Sequence, residues 1–454
     1  MEEIRILSPT AILGYGFPEA SFQRGLEKEP DLIAVDAGSV DPGPYYLGAG
    51  VSFTDRSAVK RDLELIITAA RQKNIPVIVG SAGGSGGQPH LSWCREIVEE
   101  IAKARDLSFN LATISAEIEE EFILDKYEAG NIESLGRVEA LSKEEIKASS
   151  RIVAQMGVEP FISALEQGAD VILAGRAYDP AVFASYSVWQ GFEMGLALHL
   201  GKILECASIA ADPGSGSDSM FGILRKDHFI LEPLNPKRSC SATSVAAHTL
   251  YEKEDPAKLH GPGGVLDLAQ VEFSELDQRR VKVSGSRFIK DKSYKVKLEG
   301  AKKIGYRTLS IAGTRDPLMI KELDNTIAEV KTTVKDNFKQ LKKEDYQLLF
   351  KIYGRDAVMG ELEPKKESIS HEVGIIIEVV AKTQQLANTI CSFARSTMLH
   401  YGYSNRVATA GNLAFPYSPS DIKAGEVYQF SLHHLLAVDS PTELFPVELI
   451  EINN

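Results

Sequence analysis

Asp36 and Asp41 stand five residues apart in the run Asp36-Ala37-Gly38-Ser39-Val40-Asp41-Pro42-Gly43-Pro44. The run leaves an apolar, β-branched stretch, Leu32 to Val35, so it belongs at a strand end. Glycines let backbone amides come close to a ligand, and paired carboxylates can bind a metal, move a proton or hold hydroxyls. Ser39 adds a hydroxyl to the same loop. The plainer alternative is that both aspartates only cap turns.

A second loaded segment is Gly80-Ser81-Ala82-Gly83-Gly84-Ser85-Gly86-Gly87-Gln88-Pro89-His90, between a strand and a helix. Ser81, Gly83 and Gly84 fit a cradle for phosphate or carboxylate at a helix N-terminus, with a flexible turn as the alternative. A Walker loop is excluded because its Gly-Lys-Ser/Thr ending is missing. The dinucleotide fingerprint fails too: Ala82 replaces its second glycine counted from Gly80, and Pro89 its third counted from Gly84. Gly83-Gly84-Ser85-Gly86-Gly87 matches G-x-S-x-G, but such matches are cheap in a glycine run, and Ser85 lies several residues past the strand. His90 could pass a proton, although a lone histidine is more often structural.

The third is Gly175-Arg176-Ala177-Tyr178-Asp179-Pro180, again after an apolar run. Arg176 offers a planar fork for carboxylate or phosphate. Asp179 could hold that fork or act on the substrate. Farther on, His199, Glu205 and Cys206 lie on a partly helical stretch, Phe192 to Ala211. A single helix would set His199 and Glu205 about 120° apart, so it does not aim them together. Cys206 has no nameable triad partner, and a free cysteine is more often a small buried hydrophobe. The loop Asp212 to Asp218 could close on a ligand or be a plain linker. The segment Arg395 to Asn412, rich in arginine, histidine and tyrosine, could line a site or a subunit interface, or serve structure alone.

These loops need a scaffold, and the first half of the chain supplies one in its pattern. Ile4 to Leu7, Leu32 to Asp36, Ile75 to Gly80, Phe109 to Ile114 and Asp170 to Arg176 read as strands. Helices are expected over 55–73, 92–105 and 157–167, the first from apolar Val59, Leu63, Ile66, Ile67 and Ala70. Strand–helix alternation of this kind argues an α/β fold with a mostly parallel, doubly wound sheet. Strands and turns from Leu224 to Ile311 suggest a mixed-sheet subdomain. A lysine-rich helix over 318–342, charged on most faces, reads as a solvated connector. Two strands, Tyr346 to Tyr353 and His371 to Val380, and a helix capped by Thr383 suggest a small C-terminal α+β domain. The expected division is residues 1–225, 226–340 and 341–454.

Of the 454 residues, 44% are hydrophobic and 25% charged, a mix that builds a proper core, and the formal net charge is -13. A surface that acidic repels a phosphate backbone, so no nucleic-acid partner is expected. An anionic substrate must then be held by individual arginines and amides. Four scattered cysteines without C-x-x-C spacing argue against a disulfide framework or structural zinc. The start, Met-Glu-Glu-Ile-Arg-Ile-Leu, lacks the features of a signal peptide, and no eighteen-residue apolar run occurs. A cytoplasmic protein with no membrane partner is the expectation. No H-x-x-H, H-E-x-x-H or EF-hand signature occurs, so the cofactor stays unknown, with room for Mg²⁺ at the aspartates.

Several of these runs occur together in one known family. Asp-Ala-Gly-Ser-Val-Asp-Pro-Gly-Pro at 36–44, Gly-Ser-Ala-Gly-Gly at 80–84 and Ala-Gly-Arg-Ala-Tyr-Asp at 174–179 resemble the acyclic terpene utilisation (AtuA-like) family. So do Lys-Ile-Leu-Glu-Cys at 202–206, Pro-Gly-Gly-Val-Leu-Asp-Leu at 262–268 and Val-Ser-Gly-Ser-Arg-Phe at 283–288. The likeness runs from about residue 4 to 330 and returns over Leu399 to Asp421. The family is named for breaking down acyclic terpenes through CoA thioesters, and some members occur beside a small companion protein. The resemblance therefore implies carboxylate or acyl-CoA catabolism rather than one reaction.

Residues and resemblance together point first to a lyase, a hydratase above all, or an isomerase. Its substrate would be a small anionic hydroxy- or unsaturated carboxylate, or the CoA ester of one. Asp36 and Asp41 would be the acid/base or metal-holding pair, with Asp179, Glu205 and Cys206 as further catalytic candidates. Ser39, Ser81, Gly83, Gly84, His90 and Arg176 would touch substrate, and the 80–87 amides would face a developing enolate. One alternative is an acyl-CoA hydrolase or transferase using Cys206, Ser85 or an activated water. Another is a metabolite-binding subunit that needs its partner protein for activity. A homo-oligomer is expected, with a small companion subunit as a further partner.

Overall fold

A computed structural model of the chain describes residues 2–251, 255–365, 367–368 and 370–453. The first strands in chain order are β1 (Glu3–Ser8), β2 (Leu32–Asp36), β3 (Val77–Gly80), β4 (Phe109–Ile114), β5 (Ile132–Ser134), β6 (Ser149–Ala154) and β7 (Val171–Ala174). Next come β8 (Met220–Arg225), β9 (His228–Pro233), β10 (Lys258–Gly261), β11 (Gly264–Asp267), β12 (Glu272–Glu275), β13 (Val281–Ser284) and β14 (Arg287–Lys290). The last are β15 (Lys295–Thr314), β16 (Tyr346–Tyr353), β17 (Val373–Ala381), β18 (Asp421–Ala437) and β19 (Val447–Ile452).

The chain forms two compact units, one of residues 1–302 and 430–454, the other of residues 303–429. The first is built on a ten-stranded sheet in the order β12-β13-β9-β8-β1-β2-β3-β7-β4-β19. Its centre, β1-β2-β3-β7-β4, is parallel. Both flanks are antiparallel, through β8, β9, β13 and β12 on one side and β19 on the other. The fold is mixed α/β with a large mixed sheet, so the expectation of a mostly parallel sheet holds only for the centre. The reason lies in β8, β9, β13 and β12, which zip in turn onto the free edge of β1, while β10, β11 and β14 form a separate three-stranded sheet. The boundary expected at 225 therefore cuts through one sheet.

Period-two alternation sorts the central strands between two cores. Leu32 and Ala34 of β2 join one cluster with Val182, Phe183 and Leu200, while Ile33 and Val35 join another with Val59, Leu63 and Ile66. Every residue of β2, β3 and β7 is buried, as expected where helices cover both faces of parallel strands. The helix Arg56–Lys73 starts where Asp55 accepts from the amides of Ser57 and Ala58, and it buries the five apolar residues that announced it.

In the second unit β17 pairs with β16 and with residues 306–314 of β15. The helix Gln384–His400 begins at the Thr383 cap, as the sequence suggests. Two residues of the turn between β16 and β17, Lys366 and Ile369, lie outside the described residues. The lysine-rich helix corrects its reading as a solvated connector. It is Leu323–Asn337, and it buries Leu323, Thr326, Val330 and Val334 along one stripe. That stripe packs in a core with Ile375, Ile377, Ile390 and Ala394, while the lysines face outward. Arg395 pairs with both oxygens of Asp421, and Asn412 donates to the carbonyls of Met398 and Tyr401, so this segment closes a helix end. The last strand, β19, belongs to the first unit, which corrects the expected domain of 341–454. Among the described residues no helix is long and apolar enough to cross a membrane.

Candidate active site

Because β2, β3 and β7 are parallel neighbours, their C-terminal loops meet at one end of the sheet, where ligands bind in open α/β folds. Backbone bonds tie the three loops together. Ala37 N donates to Gly80 O (3.0 Å), Ser81 N to Gly175 O (3.1 Å) and Arg176 N to Gly86 O (3.0 Å). Gly86 must be glycine: φ is +66°, and a Cβ would fall 2.2 Å from the Arg176 nitrogen. The amides of Ser81, Ala82, Gly84 and Gly86 all donate within the fold, so they are not free for an oxyanion. The glycine run is a packing device that lets backbones touch.

What it brings in is Arg176, which is 2% exposed. Its Nε donates to Glu299 Oε2 (2.6 Å), and Nη1 donates to Ser81 Oγ (3.1 Å), Ala177 O (2.7 Å) and Asp179 Oδ1 (2.9 Å). Nη2 makes no hydrogen bond among the described residues. Glu299, on β15, is fully buried and also meets Lys297 Nζ at 2.6 Å. Burial alone would raise its carboxyl, but Arg176 and Lys297 carry it down to about 2.

Asp36 is the odd member. It is 5% exposed, and Oδ2 accepts from the Gly38 amide at 3.1 Å. Oδ1 is buried, with no hydrogen-bond partner among the described residues. Burial pushes this carboxyl well above the usual carboxylate range; Asp179 and Glu205 push the same way, and Arg176 opposes them. A carboxyl that burial biases toward its protonated form, beside carboxylates and a guanidinium, is a combination suited to general acid/base work.

Glu205 and Cys206 follow the helix Met194–Leu204 and sit near this group. Lys202, one helical turn earlier, is buried and pairs with Glu205 at 2.8 Å; its ammonium lies 4.6 Å from the Tyr251 ring centroid. Burial and the negative charge of Glu205 raise the Cys206 thiol to about 12. Burial, Glu205 and Asp179 likewise raise Tyr178, whose ring edge would meet a Cβ on Gly261 at 2.8 Å.

Other candidates lie apart from this group. Asp41 is exposed, its amide bonded to Ser39 Oγ (3.1 Å), and it does not pair with Asp36. A carboxylate whose charge does act on Asp36 is that of Asp179. His90 Nε2 lies 3.1 and 3.0 Å from the carbonyls of Tyr46 and Val51, which suits a clamp on that loop. Ser85 is 1% exposed, and its hydroxyl has no hydrogen-bond partner among the described residues. His199 is held between Ser286 (2.7 Å) and Thr249 (3.0 Å) in the core. A cavity of about 680 Å³ lined by Tyr127, Ile132, Lys143 and His434 shares no residue with the Arg176 group. Among the described residues no three His, Cys, Asp or Glu side chains are placed to hold a metal ion.

The family model described as acyclic terpene utilisation family protein AtuA matches residues 55–216 and 227–416. The chain belongs to that family. Both arms of the Arg176 group, the glycine run and the Arg176–Glu205 stretch, fall inside the matched AtuA region, and so does Glu299. Asp36 lies before it. No curated protein matches the chain, and no solved structure does.

Glu299, Lys297, Lys202 and Tyr178 were not singled out in the sequence. Lys202 had a readable signal, since i,i+3 opposite charges on a helix pair readily. Lys297 and Glu299 alternate with Val296 and Leu298, which marks one face of a strand but says nothing of its burial.

Proposed function

We propose that the protein is a lyase of the hydratase type, or an isomerase, acting on a hydroxylated or unsaturated carboxylate or its CoA ester. The observation that carries this reading is Asp36: a buried carboxyl with one unpartnered oxygen, set against Asp179 and Arg176. In a dehydration one group removes a proton next to the carbonyl while another protonates the departing hydroxyl. Asp179, braced by Arg176, takes the carbon-bound proton; the C–H electrons form the double bond as the C–O bond breaks. Asp36 gives its proton to the hydroxyl, which leaves as water. Arg176 Nη2 binds the carbonyl or carboxylate oxygen and stabilises the enolate-like charge. The nucleophile alternative has less support, because the Cys206 thiol is held at about 12 and the Ser85 hydroxyl bonds no base among the described residues.

The test is NMR of the protein in D₂O with hydroxy-, unsaturated and tricarboxylic acids and their CoA esters, with and without Mg²⁺. Deuterium incorporation or new alkene signals, lost in Asp36→Asn, support the reading. Binding by thermal shift without turnover across the panel would sink it and favour a binding subunit that awaits a partner.

A further inference from the structure

We propose that Glu299 is a positioning residue of this site: it fixes the Arg176 guanidinium in one orientation and shares its charge, leaving Nη2 to face a ligand oxygen. This rests on reading Asp36 as the proton-carrying group.

A guanidinium buried to 2% exposure needs partners to stay charged, and Arg176 has two. Asp179 takes Nη1, while Glu299 takes Nε on the opposite edge of the fork, 123 residues away in sequence. With both edges bonded, the fork cannot rotate about its stem without breaking a charge-assisted bond. Glu299 is anchored in turn by Lys297 at 2.6 Å, and His433 senses the charges of both. Arg176 is the charged group that links the two carboxyls: it bonds Glu299 directly and lowers Asp36 through its charge.

The electrostatic consequence is specific. The groups acting on Asp36 are Asp179, Arg176 and Glu205. An unshared arginine charge would pull harder on the Asp36 proton, since Arg176 already acts to lower this carboxyl and an opposite charge favours the ionised form. Glu299 offsets that pull. It lets one cation serve the substrate while the neighbouring acid keeps its proton.

The experiment follows the Asp36 carboxyl by ¹³C NMR in aspartate-labelled full-length protein without ligand, the resonance assigned by its loss in Asp36→Asn. Glu299→Gln keeps an acceptor for Nε but removes the charge, and Lys297, 24% exposed, can turn to solvent. Its Asp36 midpoint is expected about one pH unit or more below the parent's. Glu299→Asp, which keeps the charge but withdraws it by one methylene, should fall between the two and serves also if the glutamine variant does not fold. An unchanged midpoint in folded Glu299→Gln, or in Glu299→Asp where the former does not fold, overturns the proposal. Because no turnover is measured, failure of the lyase reading leaves this outcome readable, and the reverse also holds.

Discussion

Asp36 and Asp179 reach the same cation from strands that are not adjacent: β3 lies between β2, which ends in Asp36, and β7, which leads to Asp179. Asp179 bonds Arg176 directly at 2.9 Å, whereas Asp36 feels it only through charge. That asymmetry divides their surroundings, a carboxyl group braced by a direct ion pair on one side and one raised by burial on the other.

The proton on Asp36 makes stability depend on pH in a definite direction. The folded protein holds that proton to higher pH than the unfolded chain, so the group's contribution is complete at pH below about 4 and is lost as pH rises to the folded value. Asp36→Asn removes the titration. Its Tm should match the parent's near pH 3 and exceed it increasingly above pH 4, read by thermal unfolding across pH 3–8. A gap that does not widen with pH would mean Asp36 is already ionised in the fold.

Arg176→Met strands two carboxylates, one of them fully buried. Breaking a buried pair in this way costs about 3–5 kcal/mol. Urea denaturation should record that loss, and adding Glu299→Gln should restore part of it because one stranded charge is then gone. A single-variant loss under about 1 kcal/mol would place the cluster with surface ion pairs.

How much was legible follows from how local each cause was. The strand Phe109–Ile114 has the bounds its residues announced, and the helix Arg56–Lys73 was visible in the spacing of Val59, Leu63, Ile66, Ile67 and Ala70. The three loops were legible because glycines and charged residues at strand ends are local features. Asp36 stands out in the sequence beside Asp41, its neighbour there; that the charge acting on it is instead Asp179's depends on strand order. Glu299 was invisible because its burial depends on Arg176. In the helix Leu323–Asn337 the lysines masked a stripe only one residue wide.

Gly86 separates packing from backbone freedom. Alanine there meets both a left-handed φ and the Arg176 backbone nitrogen at 2.2 Å, whereas Gly168, at φ +83°, has nothing within 4 Å. Gly168→Ala should therefore cost about 1–2 kcal/mol from conformation alone. Gly86→Ala should add about 1–3 kcal/mol of overpacking and displace the Arg176 loop. Chemical denaturation of the two variants tests this, and equal costs would mean that the glycine run serves its turn rather than the close approach.

Cys206 offers the sharpest contrast between acid/base and nucleophilic chemistry. With its thiol at about 12, the thiolate population at pH 8 is about three orders of magnitude below that of a free cysteine with a pKa of about 8.5. The thiolate is the species that alkylates. Iodoacetamide at pH 8, followed by mass spectrometry, should therefore modify Cys206 at least about 100-fold more slowly than glutathione. Cys94, Cys240 and Cys391 are buried and free, and serve as slow internal references. Modification of Cys206 at the free-thiol rate, blocked by a bound substrate, would reverse the assignment. It would require a cation to lower the thiol, and Lys202 is the cation placed to do so, provided it leaves Glu205.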